Sequence, residues 1–250
     1  MEYPKIQTIF KRDKYNIIIP NDFTKPEFRW LKDCKFRCEE KIDGTNIRVE
    51  IHITGDGSLS YEFAGRTSRA IIPTHLLDKL NTLFTQKRLS EAFEDNKDCH
   101  ITLYGEGYGR KIQGNGAKYL SNDVSFILFD IKIDNWWLNR EDVDIIARKL
   151  GIEVVPIVGY MTIAEACKLV QDGFKSLIAQ DETLNAEGLV LKTPFNLLMR
   201  NGERIVLKVK EVDFRKFGER YGPISYVQGM RGLELYTTVE QEVNELYETT

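Results

Sequence analysis

Glu40-Lys41-Ile42-Asp43-Gly44-Thr45-Asn46 sits between two segments that read as extended. Phe36 to Glu40 leads into it. Beyond it, Ile47, Val49, Ile51 and Ile53 alternate with Arg48, Glu50, His52 and Thr54, the period of a strand with one buried face. Asp43-Gly44 is a turn signal between the two. An amine and a carboxylate therefore meet at a bend, and Gly44 lets the backbone approach a ligand closely. Two readings fit these residues: a polar hairpin, or a lysine placed to attack a phosphorus atom.

Working outward, Gly55-Asp56-Gly57 turns the strand back into Leu59 to Phe63. Leu76, Leu77, Leu80, Leu83 and Phe84 recur at helical spacing, with a break expected between Thr85 and Ser90. Ile101 to Tyr104 reads as a strand, with Glu106 at its end. Val124 to Ile131 reads as a longer strand, too apolar to face water on either side. Asn139 caps a helix that Gly151 stops, and Val154 to Tyr160 reads as one strand. Thr162 to Glu165 is a capping box opening another helix. Glu187 to Lys192 and Arg204 to Lys210 are further strands, with Asn201-Gly202 turning between them, and Val239 to Tyr247 reads as a short acidic helix. Short turns join many strands and helices interrupt irregularly, an α+β pattern of largely antiparallel sheets.

Composition narrows the function classes. The chain has 250 residues, is 42% apolar and carries a net charge of −3. A sequence-blind nucleic-acid coat would be strongly basic, so any contact with nucleic acid is through a local patch. No apolar run is long enough for a membrane span, and the N-terminus lacks the apolar stretch of a signal peptide. Cys34, Cys38, Cys99 and Cys167 are too few and scattered for a disulfide scaffold. Their spacing also differs from that of zinc sites. They read as thiols in a reducing cytoplasm.

Several charged residues fall at strand ends or share a strand face. Glu106 follows Tyr104-Gly105, Glu187 opens Glu-Gly-Leu-Val-Leu-Lys, Arg66 follows Ala64-Gly65, and Lys208 and Lys210 lie two apart on one strand. Each alone reads as a surface charge. Together they match what phosphoryl chemistry requires: cations for phosphates, and hard oxygen donors for a divalent metal. A lysine attacks only as the neutral amine, and neighbouring cations favour that form.

In this order the residues resemble the covalent nucleotidyltransferase superfamily of polynucleotide ligases and capping guanylyltransferases. Lys41-Ile42-Asp43-Gly44 resembles its Lys-x-Asp-Gly motif and Gly65-Arg66-Thr67 the arginine motif after it. Tyr104-Gly105-Glu106, Phe126 to Asp130, Glu187 to Val190 and Leu207 to Lys210 resemble the motifs that follow. The resemblance implies an ATP-grasp-like domain with the nucleotide bound between its sheets. It implies that Lys41 forms a phosphoramidate with AMP, supported by Asp43, and that Arg66 and Glu106 hold the sugar and phosphate. Phe126 would stack on the base (a plain core position being the other reading), and strand alternation keeps Phe129 off its face. Glu40 would line the base pocket. Glu187, with Glu106, would bind Mg2+ or Mn2+, while Lys208 and Lys210 grip the phosphates.

Within the superfamily, only 40 residues precede Lys41 and 40 follow Lys210. That argues against a nicotinamide-binding module and an OB domain. Asn46 fits the Lys-x-(Asp/His)-Gly-x-Asn form of the RNA ligase 2-like group, and Gly105 to Gln113 resembles the same region of phage and bacterial RNA ligases. The expectation is an ATP-dependent RNA ligase with an adenylyltransferase domain over 1–212 and a short helical appendage over 213–250. Its partners would be ATP and RNA ends or a nicked duplex. It would be a cytoplasmic monomer that touches no membrane, with phage encoding as one option. Minimal DNA ligation, a GTP-using guanylyltransferase and a non-catalytic nucleic-acid-binding module are the alternatives. Two basic clusters, one of Arg110, Lys111 and Lys118 and one of Arg215, Lys216 and Arg220, read equally as phosphate contacts or as solvated faces.

Overall fold

A computed structural model describes residues 2–67, 69–230 and 232–236. The elements of the first half are β1 (Gln7–Thr8), β2 (Phe10–Arg12), β3 (Ile18–Phe23), α1 (Pro26–Trp30), β4 (Phe36–Glu40), β5 (Thr45–Ile53), β6 (Leu59–Gly65), α2 (Thr74–Leu83), α3 (Gln86–Ala92), β7 (Cys99–Gly109) and α4 (Gly116–Tyr119). There follow β8 (Val124–Ile133), β9 (Trp136–Trp137), α5 (Arg140–Leu150), β10 (Glu153–Val154), β11 (Ile157–Met161), α6 (Ile163–Asp172), β12 (Gly188–Lys192), β13 (Val206–Lys210), α7 (Glu211–Tyr221), β14 (Ser225–Gly229) and β15 (Gly232–Tyr236). The fold is mixed α+β. Most strand pairs are antiparallel, with β1–β13 and β10–β8 parallel. The acidic helix expected over Val239 to Tyr247 lies outside the described residues.

The chain forms two compact units, interleaved in sequence. Unit 1 comprises residues 2–5, Lys41–Pro156 and Lys175–Leu184. Its sheet runs β10-β8-β7-β5-β6, with β9 paired to β8. Ile47, Val49, Ile51 and Ile53 of β5 turn to one face and are buried with Leu103, Phe126 and Leu128. Over them lie Leu76 and Leu80 of α2, Leu89 of α3, and Val143, Ala147 and Leu150 of α5. Burying each such side chain contributes about 1.5–3 kcal/mol, which holds the helices to the sheet. The break comes at Phe84, whose ring is fully buried. Thr85 restarts the helix by accepting a hydrogen bond from Arg88 N at 3.3 Å. Gly151 closes α5 at φ 67, in the left-handed region.

Unit 2 comprises Ile6–Glu40, Ile157–Phe174 and the described residues from Asn185 on. Its main sheet runs β1-β13-β12-β4-β11. Phe36, Cys38, Leu189, Leu191, Leu207 and Val209 face a core that takes in Ile163, Ala166, Cys167 and Val170 of α6 and Phe214 and Phe217 of α7. The described part of 213–236 thus packs into this core, as a helix followed by the β14–β15 hairpin. The Thr162 capping box is formed in full.

Three local expectations are corrected. Asp43-Gly44 does not close a hairpin: β4 pairs with β11 and β12, β5 with β6 and β7, and the chain passes from unit 2 to unit 1 at the Glu40–Lys41 peptide. Val154 to Tyr160 is two strands in different sheets, because Pro156 has no N–H to continue a ladder. The strand holding Glu106 runs on to Gly109, so Glu106 is interior. Gly105 and Gly107 inside this strand are each required by a neighbour. A Cβ at Gly105 would lie 2.1 Å from Phe126 Cζ, and one at Gly107 would lie 2.5 Å from Leu76 Cδ2.

Candidate functional site

In unit 1 the Lys41 bend lies against β7. A Cβ on Gly44 would sit 2.4 Å from Gly107 O and 2.7 Å from Glu106 Cγ, so only glycine lets the backbone lie this close. Asp43 N donates to Tyr119 Oη at 3.3 Å, and Gln113 Nε2 donates to Gly44 O at 3.2 Å. These contacts fix the backbone immediately after the lysine. Lys41 Nζ lies 3.5 Å from Ile42 O.

Register places the other candidates on the face opposite the helices. Asn46 is directly across from Glu106, and Glu106 from Ile127. Asn46 Oδ1 is buried with no hydrogen-bond partner among the described residues. A buried unpaired carbonyl costs about 1–3 kcal/mol, so this oxygen is available to accept a bond from a bound group. Arg48 on the same strand face binds Glu50 at 2.8 Å and Gly65 O at 3.0 Å. That ties β5 to the end of β6, where Arg66 is exposed in the bend that follows.

Phe126 is not on this face. Its ring is 1% exposed and meets Phe84 edge-on at 5.2 Å in the helix-covered core. Stacking on a base would require that ring to leave the core, so the expectation for Phe126 is replaced by its plain core role. A bulge sits next to it: Tyr104 pairs with Asp130 and Gly105 with Leu128, leaving Phe129 over. Phe129 is half-buried beside Ile127 and the Ile42–Tyr119 cluster, with Tyr3 edge-on at 5.0 Å.

In unit 2 a charged face lies opposite the core. Val190 pairs with Lys208 and Gly188 with Lys210. Gly188 has φ 154, and a Cβ there would fall 2.0 Å from Val209 O. Lys210 Nζ meets Glu187 Oε1 at 2.5 Å, and Glu187 O accepts from Glu211 N. Beside these residues lies a network the motifs did not point to. Glu39 accepts from Arg37 Nε at 2.9 Å and from Lys192 Nζ at 2.8 Å, all three being buried. Its sequence signal is the alternation of Arg37 and Glu39 with Phe36 and Cys38. Glu40 is also buried, at the last position of β4.

Each unit therefore groups part of the predicted set. Unit 1 holds Lys41, Asp43, Asn46, Arg66 and Glu106; unit 2 holds Glu40, Glu187, Lys208 and Lys210. Among the described residues no three His, Cys, Asp or Glu side chains form a metal cluster. Within unit 1, Glu106 and Asn46 Oδ1 are hard oxygen donors of the kind Mg2+ or Mn2+ takes, and unit 2 offers Glu187 by itself. Such an ion draws most of its shell from substrate phosphates and water rather than from a protein cage. No helix among the described residues is long and apolar enough to cross a membrane.

Comparison with known proteins gives the same direction. The fold is similar to Naegleria gruberi RNA ligase. An apo mutant of that protein superposes with a TM-score of 0.55 at 18% identity, over 88% of this chain and 60% of that one. A mutant with ATP and Mn gives 0.55 at 20% identity, over 84% and 57%. The structure with PPi gives 0.54 at 21% identity, over 87% and 64%. The chain thus spans less than two thirds of these proteins, and at such identity the likeness establishes a shared fold. A search of curated protein sequences returns no significant match. The RNA ligase family matches residues 35–210, every motif from Lys41 to Lys210 included, and the chain belongs to that family.

Proposed function

We propose that the protein is an ATP-dependent RNA ligase that works through a covalent lysyl-AMP intermediate on Lys41. The observation that carries the proposal is the Lys41 bend seated against Glu106, with Asn46 Oδ1 buried and unpartnered across from it. A backbone fixed by Tyr119 and Gln113 just after Lys41 suits a lysine that must be positioned to attack a phosphorus atom. Lys208 and Lys210, on one face of β13 in unit 2, suit the polyphosphate.

Three transfers follow. The Lys41 amine bonds to the α-phosphorus of ATP, loses a proton to solvent, and pyrophosphate leaves. A 5′-phosphate oxygen of RNA then attacks that phosphorus, freeing Lys41 and leaving AMP joined to the RNA end. A 3′-hydroxyl attacks the activated 5′-phosphate, a phosphodiester forms, and AMP departs. Lys208 and Lys210 hold phosphate oxygens, and Glu187 orients Lys210 through their ion pair. Arg66 and Glu106 hold the nucleotide sugar and phosphate, Asp43 supports the lysine and Glu40 borders the base. Base stacking passes from Phe126 to Phe129. Glu106 in unit 1 and Glu187 in unit 2 would each offer carboxylate oxygens to a divalent ion, which would supply charge neutralisation at the phosphates.

The remaining expectations stand on this proposal: a nucleotidyltransferase domain over 1–212, with 213–250 appended, in a cytoplasmic monomer. A sealing assay tests the substrate. Nicked duplexes with RNA, DNA or mixed strands at the nick are incubated with ATP and Mg2+. Sealing of the RNA nick is the expected result. Sealing confined to DNA, or activity with GTP alone, would replace this function with one of the alternatives.

A further inference from the structure

Unit 1 carries a groove of about 370 Å³ lined by His75, Arg110, Lys111, Asn122, Asp123 and Val124. Arg110 and Lys111 come directly after β7, Asn122 and Asp123 just before β8, and His75 from the first turn of α2. The groove takes Arg110 and Lys111 from the first basic cluster seen in the sequence and adds His75 and Asn122 to them. The second cluster is spent locally: Arg215 meets Glu211 and Glu219, and Arg220 lies over Tyr15 and Tyr221.

Charge in the groove is one-sided. Its carboxylate, Asp123, is taken up by Lys79 at 2.6 Å and by Val124 N at 2.8 Å. The Lys79 ammonium holds that carboxyl below its usual range, with the Val124 N–H helping. Arg110 Nη1 makes a long 3.4 Å bond to Asn122 Oδ1. Backbone geometry holds the lining in place: Arg110 N donates to Asp123 O at 2.9 Å, Ile112 N donates to Gly109 O at 3.2 Å, and Lys111 sits at φ 64. The same loop continues to Gln113, whose amide binds Gly44 O in the Lys41 bend.

We propose that this groove binds a phosphate group of the polynucleotide substrate. The identity of that substrate rests on the ligase function proposed above; the anion chemistry rests on the groove. A guanidinium and an ammonium lining one open groove match a phosphate, while the Asn122 amide is held between Arg110 and Ser121 Oγ. The volume admits the phosphate with its water, and the open shape lets a strand pass. Because the loop is bonded to the Lys41 bend, a phosphate held there sets the register of the strand relative to the nucleophile.

The test compares wild type with the double variant Arg110→Gln/Lys111→Gln and with Lys79→Ala. Binding of fluorescein-labelled nicked RNA is read by anisotropy across a salt series, and covalent labelling by α-labelled ATP is read in parallel. The double variant should lose about tenfold in affinity at low salt, with the slope of log affinity against log salt reduced by about 1 per cation removed. Its ATP labelling should be unchanged. Lys79→Ala should also weaken binding, though Lys79 does not line the groove, because it releases the Asp123 charge. RNA with a 5′-hydroxyl and with a 5′-phosphate separates the sources: equal loss on both means an internal phosphodiester, loss only on the latter means the terminal phosphate. Affinity and salt slope unchanged in both variants would overturn the proposal. If the wild type takes no label while binding still depends on Arg110 and Lys111, the ligase function fails and the groove stands.

Discussion

Two phenylalanines three positions apart in β8 have different work. Phe126 fills the core against Phe84 and over Gly105, so Phe126→Ala should cost about 3–5 kcal/mol, read as a large drop in thermal midpoint. Phe129→Ala should keep the thermal midpoint near wild type while ATP labelling weakens by about tenfold, the stacking lost from one base. The reverse pattern would return the base to Phe126. Glu39 gives a second contrast. Two buried cations depend on it, so Glu39→Ala should cost about 3–5 kcal/mol, measured by urea unfolding. The alternation of β8 was legible in the sequence and correctly separated the two rings. Which ring met a helix was not, because α2 and α3 reach it from a distant part of the chain.

At the scale of elements, packing against neighbours decides what local signals leave open. Gly105→Ala should destabilise unit 1 by about 1–3 kcal/mol through overlap with the Phe126 ring. Adding Phe126→Leu should recover part of that loss, a coupling visible in a double-mutant cycle. The α6 capping box supplies a pH dependence. Burial pushes the Glu165 carboxyl up, but hydrogen bonds from Lys35 and Thr162 outweigh it and hold it below the ordinary glutamate value. A depressed carboxyl stabilises the fold above its unfolded value, and that contribution is lost as pH falls through the folded one. The stability gap between wild type and Glu165→Gln should therefore shrink on acidification below about pH 4; a gap that widens would contradict the assignment. Caps and breaks such as Thr162, Thr85 and Gly151 were legible because they are written in a few adjacent residues. The Pro156 split and the passage between sheets at Glu40–Lys41 were not, because strand partners lie far apart in sequence.

Over the whole molecule, the motifs appear in one linear order yet fall into two compact units. Thiols report on this organisation. Cys34 is exposed, while Cys38 and Cys167 are buried in the unit 2 core. Burial pushes Cys38 up to about 12 and raises Cys167 as well. Alkylation near neutral pH followed by mass spectrometry should modify Cys34 first and Cys99 more slowly. It should reach Cys38 and Cys167 only when unit 2 unfolds. The family was more legible than the architecture, since the motif residues are polar exceptions inside apolar strands. The contacts of Glu39 and Gln113 were not legible because they lie across strands and between loops. The central claim is that Lys41 is the covalent nucleophile, and a denaturing gel after incubation with α-labelled ATP and Mg2+ tests it most directly. Wild type should give a labelled band, Lys41→Ala none, and Lys208→Ala and Glu187→Ala a weakened band with the fold retained. A wild-type protein that takes no label, or a label that survives Lys41→Ala, would contradict it.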